Sequence, residues 1–323
     1  MNEPRGTLHE SISLAGKEGH AINVSLWQPT GTNVQATVQI LHGLAEHADR
    51  YQRFAEFLTS QGFAVIAHDH RGHGATLEPK ALGHFADKDG WQKVLDDVRQ
   101  VQLHIDKKFP SLPRLLIGHS MGSYIAQAFI MQHPDACDAL VLSGSTAAPR
   151  LQLYLGRFAA RIEIWRHSKQ HRSTALNAQA FGAYNKRFAP ARTDFDWLSR
   201  DPVEVDRYVN DRACGFVPSA GLWHDLLGGL IAIGKKKSLR KIPEDLPILI
   251  TGGSDDPVGG RAGMQRLYKS YQRSGHDHVT LKIYEGGRHE MLNEINYDEV
   301  MHDIVRWAAG EHGRAVRSGF SRV

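Results

Sequence analysis

Residues 114–123 read Arg114-Leu-Leu-Ile-Gly-His-Ser120-Met-Gly-Ser123. A short apolar run leads into Gly118-His119-Ser120-Met121-Gly122. The stretch after it, Met121 to His133, is patterned as a helix that Pro134 halts. Gly-x-Ser-x-Gly alone is a weak signal, because Gly and Ser are common residues. Between a strand and a helix it has the setting of a nucleophile elbow, a sharp turn that lifts the serine hydroxyl above the edge of a sheet. The two glycines allow the turn where a Cβ would clash. Without that chemistry the segment would be a glycine-rich strand-to-helix turn.

A serine hydroxyl is a poor nucleophile at neutral pH and needs a base, which in turn needs an orienting group. In folds built on this elbow the chain order is Ser, acid, His. Downstream, Thr251-Gly-Gly-Ser-Asp-Asp-Pro-Val258 follows an apolar strand and offers Asp255 and Asp256. Further on, Glu285-Gly-Gly-Arg-His289 follows another strand. The chain has 19 histidines, so composition does not single one out. His289 is chosen by its place after the last strand and by the small residues before it. An oxyanion needs two backbone N–H donors. Met121 follows the nucleophile, and Leu41-His42-Gly43-Leu44-Ala45 follows an upstream strand. Met121 and Leu44 are therefore the expected donors.

Around these segments strands and helices alternate. Strands are expected at Ala21–Trp27, Ala36–Leu41, Phe63–Ala67, Arg114–Ile117, Ala139–Leu142, Ile248–Thr251 and Thr280–Tyr284. Helices are expected at Tyr51–Ser60, Trp91–Lys108, Met121–His133, Arg261–Ser274 and Glu290–Ala309. Such alternation argues for an α/β fold with a mostly parallel sheet covered by helices on both faces. From about Thr146 to Lys241 the rhythm stops and only helical patches remain. The expected organisation is a core of residues 1–145 and 242–323 and a helical insertion over 146–241, with the tail Gly310–Val323 frayed.

The 323 residues are 41% hydrophobic and 23% charged, which excludes a largely disordered chain. The net charge of +4 is unevenly spread. Residues 146–241 carry 17 Lys and Arg against 8 Asp and Glu, whereas the rest carries 22 against 27. The plain reading is a solvated basic face. The sharper one is attraction to an anionic substrate or lipid headgroups, with weak peripheral contact to an anionic membrane. No nucleic-acid module can be read in the stretch. Gly215–Gly234 approaches the length of a spanning helix, but it contains Asp225 and five glycines, so a buried or substrate-facing helix is expected. Cys137 and Cys214 cannot build a disulfide framework or a CxxC site. His68, His70 and His73 have a metal-like spacing, but Gly72 stands where such a site would place an Asp, and no metal is expected. The pairs Gly252-Gly253 and Gly259-Gly260 lack a following Lys-Ser/Thr, so no phosphate cradle and no cofactor is expected. The opening MNEPRGTLHE has no basic stretch followed by an apolar run, which makes the cytoplasm the expected compartment.

Taken together, these segments resemble the α/β-hydrolase superfamily, and within it the monoacylglycerol lipase/lysophospholipase-like serine hydrolases of bacteria. LHGLAEHADRY (41–51), AHDHRGHGAT (67–76), GHSMGS (118–123) and KIYEGGRHEMLNE (282–294) carry the resemblance. NKRFAPARTDFDWLSRD (185–201) and CGF (214–216) resemble the cap of bacterial members. The chain departs from the family at Asp211-Arg212-Ala213-Cys214, where Pro-Leu would follow the Asp. The resemblance implies Asp256 as the acid, with Ser120 and His289 completing a triad. It also implies an ester hydrolase acting on monoacylglycerol or lysophospholipid. Short-chain esters, or amides and peptides cleaved by the same triad, remain alternatives, as does a binding protein that keeps the fold without the catalysis.

Overall fold

A computed structural model describes residues 6–76 and 82–310, so most of the tail expected to fray lies outside the described residues. Eight strands form one sheet in the order β1-β2-β4-β3-β5-β6-β7-β8. They are β1 (Thr7–Ala15), β2 (Ala21–Pro29), β3 (Ala36–Leu41), β4 (Phe63–His68), β5 (Arg114–His119), β6 (Ala139–Ser143), β7 (Ile248–Gly253) and β8 (Val279–Tyr284). From β4 to β8 all neighbours are parallel, and β1 and β2 close one edge antiparallel.

The central strands are continuous apolar runs because both of their faces are covered. Alternate residues go to opposite layers. Val38, Ile40, Leu115, Ile117 and Val141 pack with α1 (Gln52–Ser60) and α10 (Tyr297–Ala308). Leu41, Leu116, Leu140 and Leu142 pack with α2 (Gly90–Lys108), α3 (Met121–Gln132) and α9 (Gly260–Gln272). The strand β1, which the expected strand pattern did not include, is an edge strand half open to solvent, so its apolar alternation is shallow.

Between β6 and β7 the chain forms α4 (Arg150–Arg166), α5 (Thr174–Phe181), α6 (Pro202–Asn210), α7 (Ala220–Ile233) and α8 (Lys236–Leu239), with no strand. Leu222, Trp223 and Leu226 of α7 join the layer that contains α2 and α3. The 14 residues of α7 fall short of a membrane span, and no helix among the described residues is long and apolar enough to cross one.

The last helix starts later than its pattern predicts. Glu290 N–H donates to Leu198 O at 2.8 Å, and the Glu294 carboxylate accepts from Arg200 and from the backbone of Arg288. These long-range partners hold 290–296 as a 3-10 turn and loop, and α10 begins only at Tyr297.

The β3, β5, β7 and β8 strands all end at the same edge. The chain leaves β3 toward β4 on one side and leaves β5 toward β6 on the other, so the order reverses between β3 and β5, and ligands bind at that kind of switch, outside the carboxyl ends.

Candidate active site

Ser120 sits between β5 and α3 with φ 49° and ψ −118°, a backbone conformation costly for a residue with a Cβ. The turn holds because surrounding contacts over-determine it. Ser120 N–H donates to Ser143 O at 2.9 Å, and Ser123 Oγ donates to Ser120 O at 2.6 Å. A Cβ on Gly122 would lie 2.0 Å from Leu41 O. Glycine is therefore required for the elbow to pack on the end of β3, and this close approach brings Met121 beside the 42–45 loop.

The other two groups come from the loops after β7 and β8. A Cβ on Gly253 would lie 1.9 Å from Gly287 O, so these loops meet backbone to backbone. The approach lets His289 Nδ1 and Asp256 Oδ2 hydrogen-bond at 2.9 Å, with both residues buried. The second Asp256 oxygen accepts from Val258 N–H at 2.8 Å. Asp255 instead turns outward to Arg187 at 2.8 Å. Burial works against an imidazolium at His289, but the Asp256 carboxylate outweighs it and raises the pKa above 6.5. Trp197, from the helical segment, stands over the imidazole with ring centroids 5.1 Å apart.

Ser120, His289, Leu44 and Met121 line one cavity of about 1000 Å³. Met121 opens α3, so its N–H has no acceptor within the helix. Among the described residues no hydrogen bond joins the Ser120 hydroxyl to His289. Such links are often open without substrate and close in the complex. Leu153, Phe181, Trp223, Leu226 and Leu230 supply an apolar wall. None of the 17 Lys and Arg of residues 146–241 lines the cavity, so the basic charge of that segment faces elsewhere.

Sequence reasoning missed the strap behind the site. Arg50 makes a bidentate pair with Glu290 at 2.7 Å and a further hydrogen bond to Glu46 at 2.7 Å. Tyr51 OH donates to Glu46 at 3.0 Å, and Gly43 N–H also donates to Glu46. Burial would raise the Glu290 pKa, but Arg50 overrides it and holds the pKa at about 2. The strap joins the 43–50 loop to the residue after His289. All three charged residues stand inside segments already quoted, but their pairing is invisible without the fold. Tyr208 OH to Ala45 O at 2.9 Å and His47 Nε2 to Asp211 Oδ2 at 2.7 Å tie the helical segment to the same loop.

His68, His70 and His73 are buried near His42, whose Nε2 accepts from His70 N–H at 2.9 Å. Burial pushes His68 and His73 down to about 3, which keeps them neutral. They are not among the described groups whose ligand atoms come within 4.8 Å of one another. Asp69 lies among them and accepts from Ala48 N–H, Ala75 N–H and Asn23, so this stretch packs the loop after β4.

Known proteins resemble this chain in sequence and fold. Residues 32–296 match the family described as serine aminopeptidase, S33. The chain is 30% identical over 295 residues to a monoacylglycerol lipase of Mycolicibacterium smegmatis, covering 91% of this chain and 95% of the relative. It is 29% identical to a human monoglyceride lipase, covering 92% and 89%. A thermostable carboxyl esterase from Bacillus coagulans, solved with glycerol, superposes with a TM-score of 0.86 at 27% identity, covering 94% and 98%. The chain therefore belongs to the serine aminopeptidase S33 family and is an α/β-hydrolase resembling the monoacylglycerol lipases.

Proposed function

We propose that this carboxylic ester hydrolase works through an acyl-enzyme on Ser120 and that its substrates are monoacylglycerol-like lipids. The observation that carries the reading is the 2.9 Å Asp256–His289 pair, which shares one cavity with Ser120 on its strained turn. His289 Nε2 takes the Ser120 proton as Oγ attacks the ester carbonyl. The N–H groups of Leu44 and Met121 receive the developing oxyanion. The imidazolium, stabilised by Asp256, returns the proton to the leaving alcohol, and the same base then activates the water that frees the acid.

The apolar wall supports an acyl chain, and a lining in which Arg266 is outnumbered by Glu46, Asp194 and Glu290 favours a neutral glycerol headgroup over a lysophospholipid. The names of the mycobacterial and human lipases agree with the neutral lipid. Residues 146–241 act as the cap. On α4, Leu151, Tyr154, Leu155, Phe158, Ile162 and Trp165 form one exposed stripe, and Trp165 is 84% exposed. Exposed Arg150, Arg161 and Arg166 accompany it. The stripe supports peripheral contact with an anionic lipid surface, from which substrate would enter.

A second reading, a short-chain esterase, is favoured by the Bacillus carboxyl esterase. The two separate on p-nitrophenyl esters of two to sixteen carbons, run beside a monoacylglycerol, a lysophosphatidylcholine and an aminoacyl anilide. Turnover confined to two- and four-carbon esters rejects the lipid substrate. Ser120→Ala should lower kcat by about 10⁴-fold or more; wild-type rates in that variant reject the mechanism.

A further inference from the structure

Apart from the catalytic cavity, Glu163, His167 and His171 bring a carboxylate oxygen and two imidazole nitrogens within 4.8 Å of one another. Glu163 and His167 stand one helical turn apart at the end of α4, and His171 follows on the connection to α5. His171 Nε2 lies 3.7 Å from Glu163 Oε2, and the two imidazoles stack with centroids 4.1 Å apart. Ligands bound tetrahedrally at about 2.0 Å would be spaced by about 3.3 Å, so small side-chain rotations close the site. Ser173 Oγ donates to Glu163 Oε2 at 2.6 Å, an outer hydrogen bond that orients the carboxylate. His167 caps the C-terminus of the 17-residue α4, where the helix dipole favours a cation. The other cluster of this kind among the described residues, His47–Asp211–Cys214, is less suited. Its carboxylate already binds the imidazole, and burial raises the thiol pKa, away from the thiolate a metal needs.

We propose that Glu163, His167 and His171 form a zinc site with an open fourth position for water, at the outer end of α4. Two imidazoles and one carboxylate suit zinc among the divalent ions. The ion would fix α4 to the connection that anchors the helical segment. In that connection Lys169 and Gln170 hydrogen-bond Asp87, Arg172 reaches Leu82 O at 3.2 Å, and Ala220 N–H donates to His171 O at 2.8 Å. Zinc would thus stiffen the helix that carries both the lipid-facing stripe and part of the cavity wall. The metal site itself does not depend on the esterase reading.

The test uses the untagged full chain, zinc chloride, and competition against a chromogenic chelator, with Tm read in parallel. Wild type should take up one zinc at its tightest site and gain Tm. His167→Ala and Glu163→Gln, both at partly or fully exposed positions, should weaken that site by roughly tenfold or more and lose the Tm gain. Cys214→Ser should bind as wild type does. Unchanged affinity in His167→Ala, loss of the tight site in Cys214→Ser, or no uptake against the chelator would each overturn the proposal. Because the readout is metal binding, failure here leaves Ser120 chemistry untouched, and failure of Ser120→Ala to lose activity leaves the zinc result standing.

Discussion

At the scale of the residue, the proposed mechanism depends on one imidazole, that of His289 paired with Asp256. Asp256 raises the His289 pKa against the opposing pull of burial. As the proposed base, His289 works only when neutral, so the acid limb of kcat/KM should lie above pH 6.5. In Asp256→Asn the largest raising charge is gone, and burial remains against the weaker pull of Glu290 and Glu46. The limb should then move to lower pH, and kcat should fall by about 10³–10⁴-fold. A pH profile of that variant on a soluble ester checks both. An acid limb that stays in place would show that another group controls it. Asp255 and Asp256 cannot be told apart by the chemistry of their side chains. They differ because the backbone contact between Gly253 and Gly287 aims one inward, whereas the other meets Arg187 at the surface.

At the scale of the element, α4 is the unusual helix. Its inner side supplies Leu153 and Gly156 to the cavity, and its outer side leaves six large apolar residues in solvent. A helix packed only for stability would bury that stripe. Replacing Leu151, Phe158 and Trp165 together by Ser should cut binding to phosphatidylglycerol vesicles several-fold. Turnover of a short soluble ester should stay within about twofold, because surface changes away from packing cost little. Vesicle sedimentation with and without added salt checks this. Binding unchanged by the triple substitution would remove α4 as the contact, and binding indifferent to salt would remove the role of the arginines.

At the scale of the whole molecule, Arg50 and Glu290 join loops 240 residues apart in sequence. The Glu290 pKa lies at about 2 in the fold against an ordinary 4.5. Such a depressed carboxylate adds stability above pH 4.5, and the contribution disappears as pH falls through about 2. Glu290→Gln leaves Arg50 with Glu46 alone. It should cost about 3 kcal/mol at pH 7, a typical loss for a broken buried pair. The difference from wild type should shrink steadily below pH 4.5. Urea unfolding at pH 7 and pH 3 measures it, and an equal deficit at both values would show that the pair's charge is not the source.

The order of strands and helices, the sharp turn at Ser120, the 42–45 loop after β3 and the place of His289 after β8 could be read from the chain, because each rests on local chemistry: apolar runs of strand length, glycines at a tight turn, a small-residue loop after a strand. The helical character of 146–241 was legible for the same reason, as a loss of strand periodicity. The late start of α10, the Glu46–Arg50–Glu290 strap and Trp197 over His289 were not, since each is decided by a partner tens or hundreds of residues away. Charge placement was the other blind spot. Composition counted the basic residues of 146–241, but only the packed fold turned them away from the cavity, because charges remain hydrated while the apolar faces of the same helices are drawn inward.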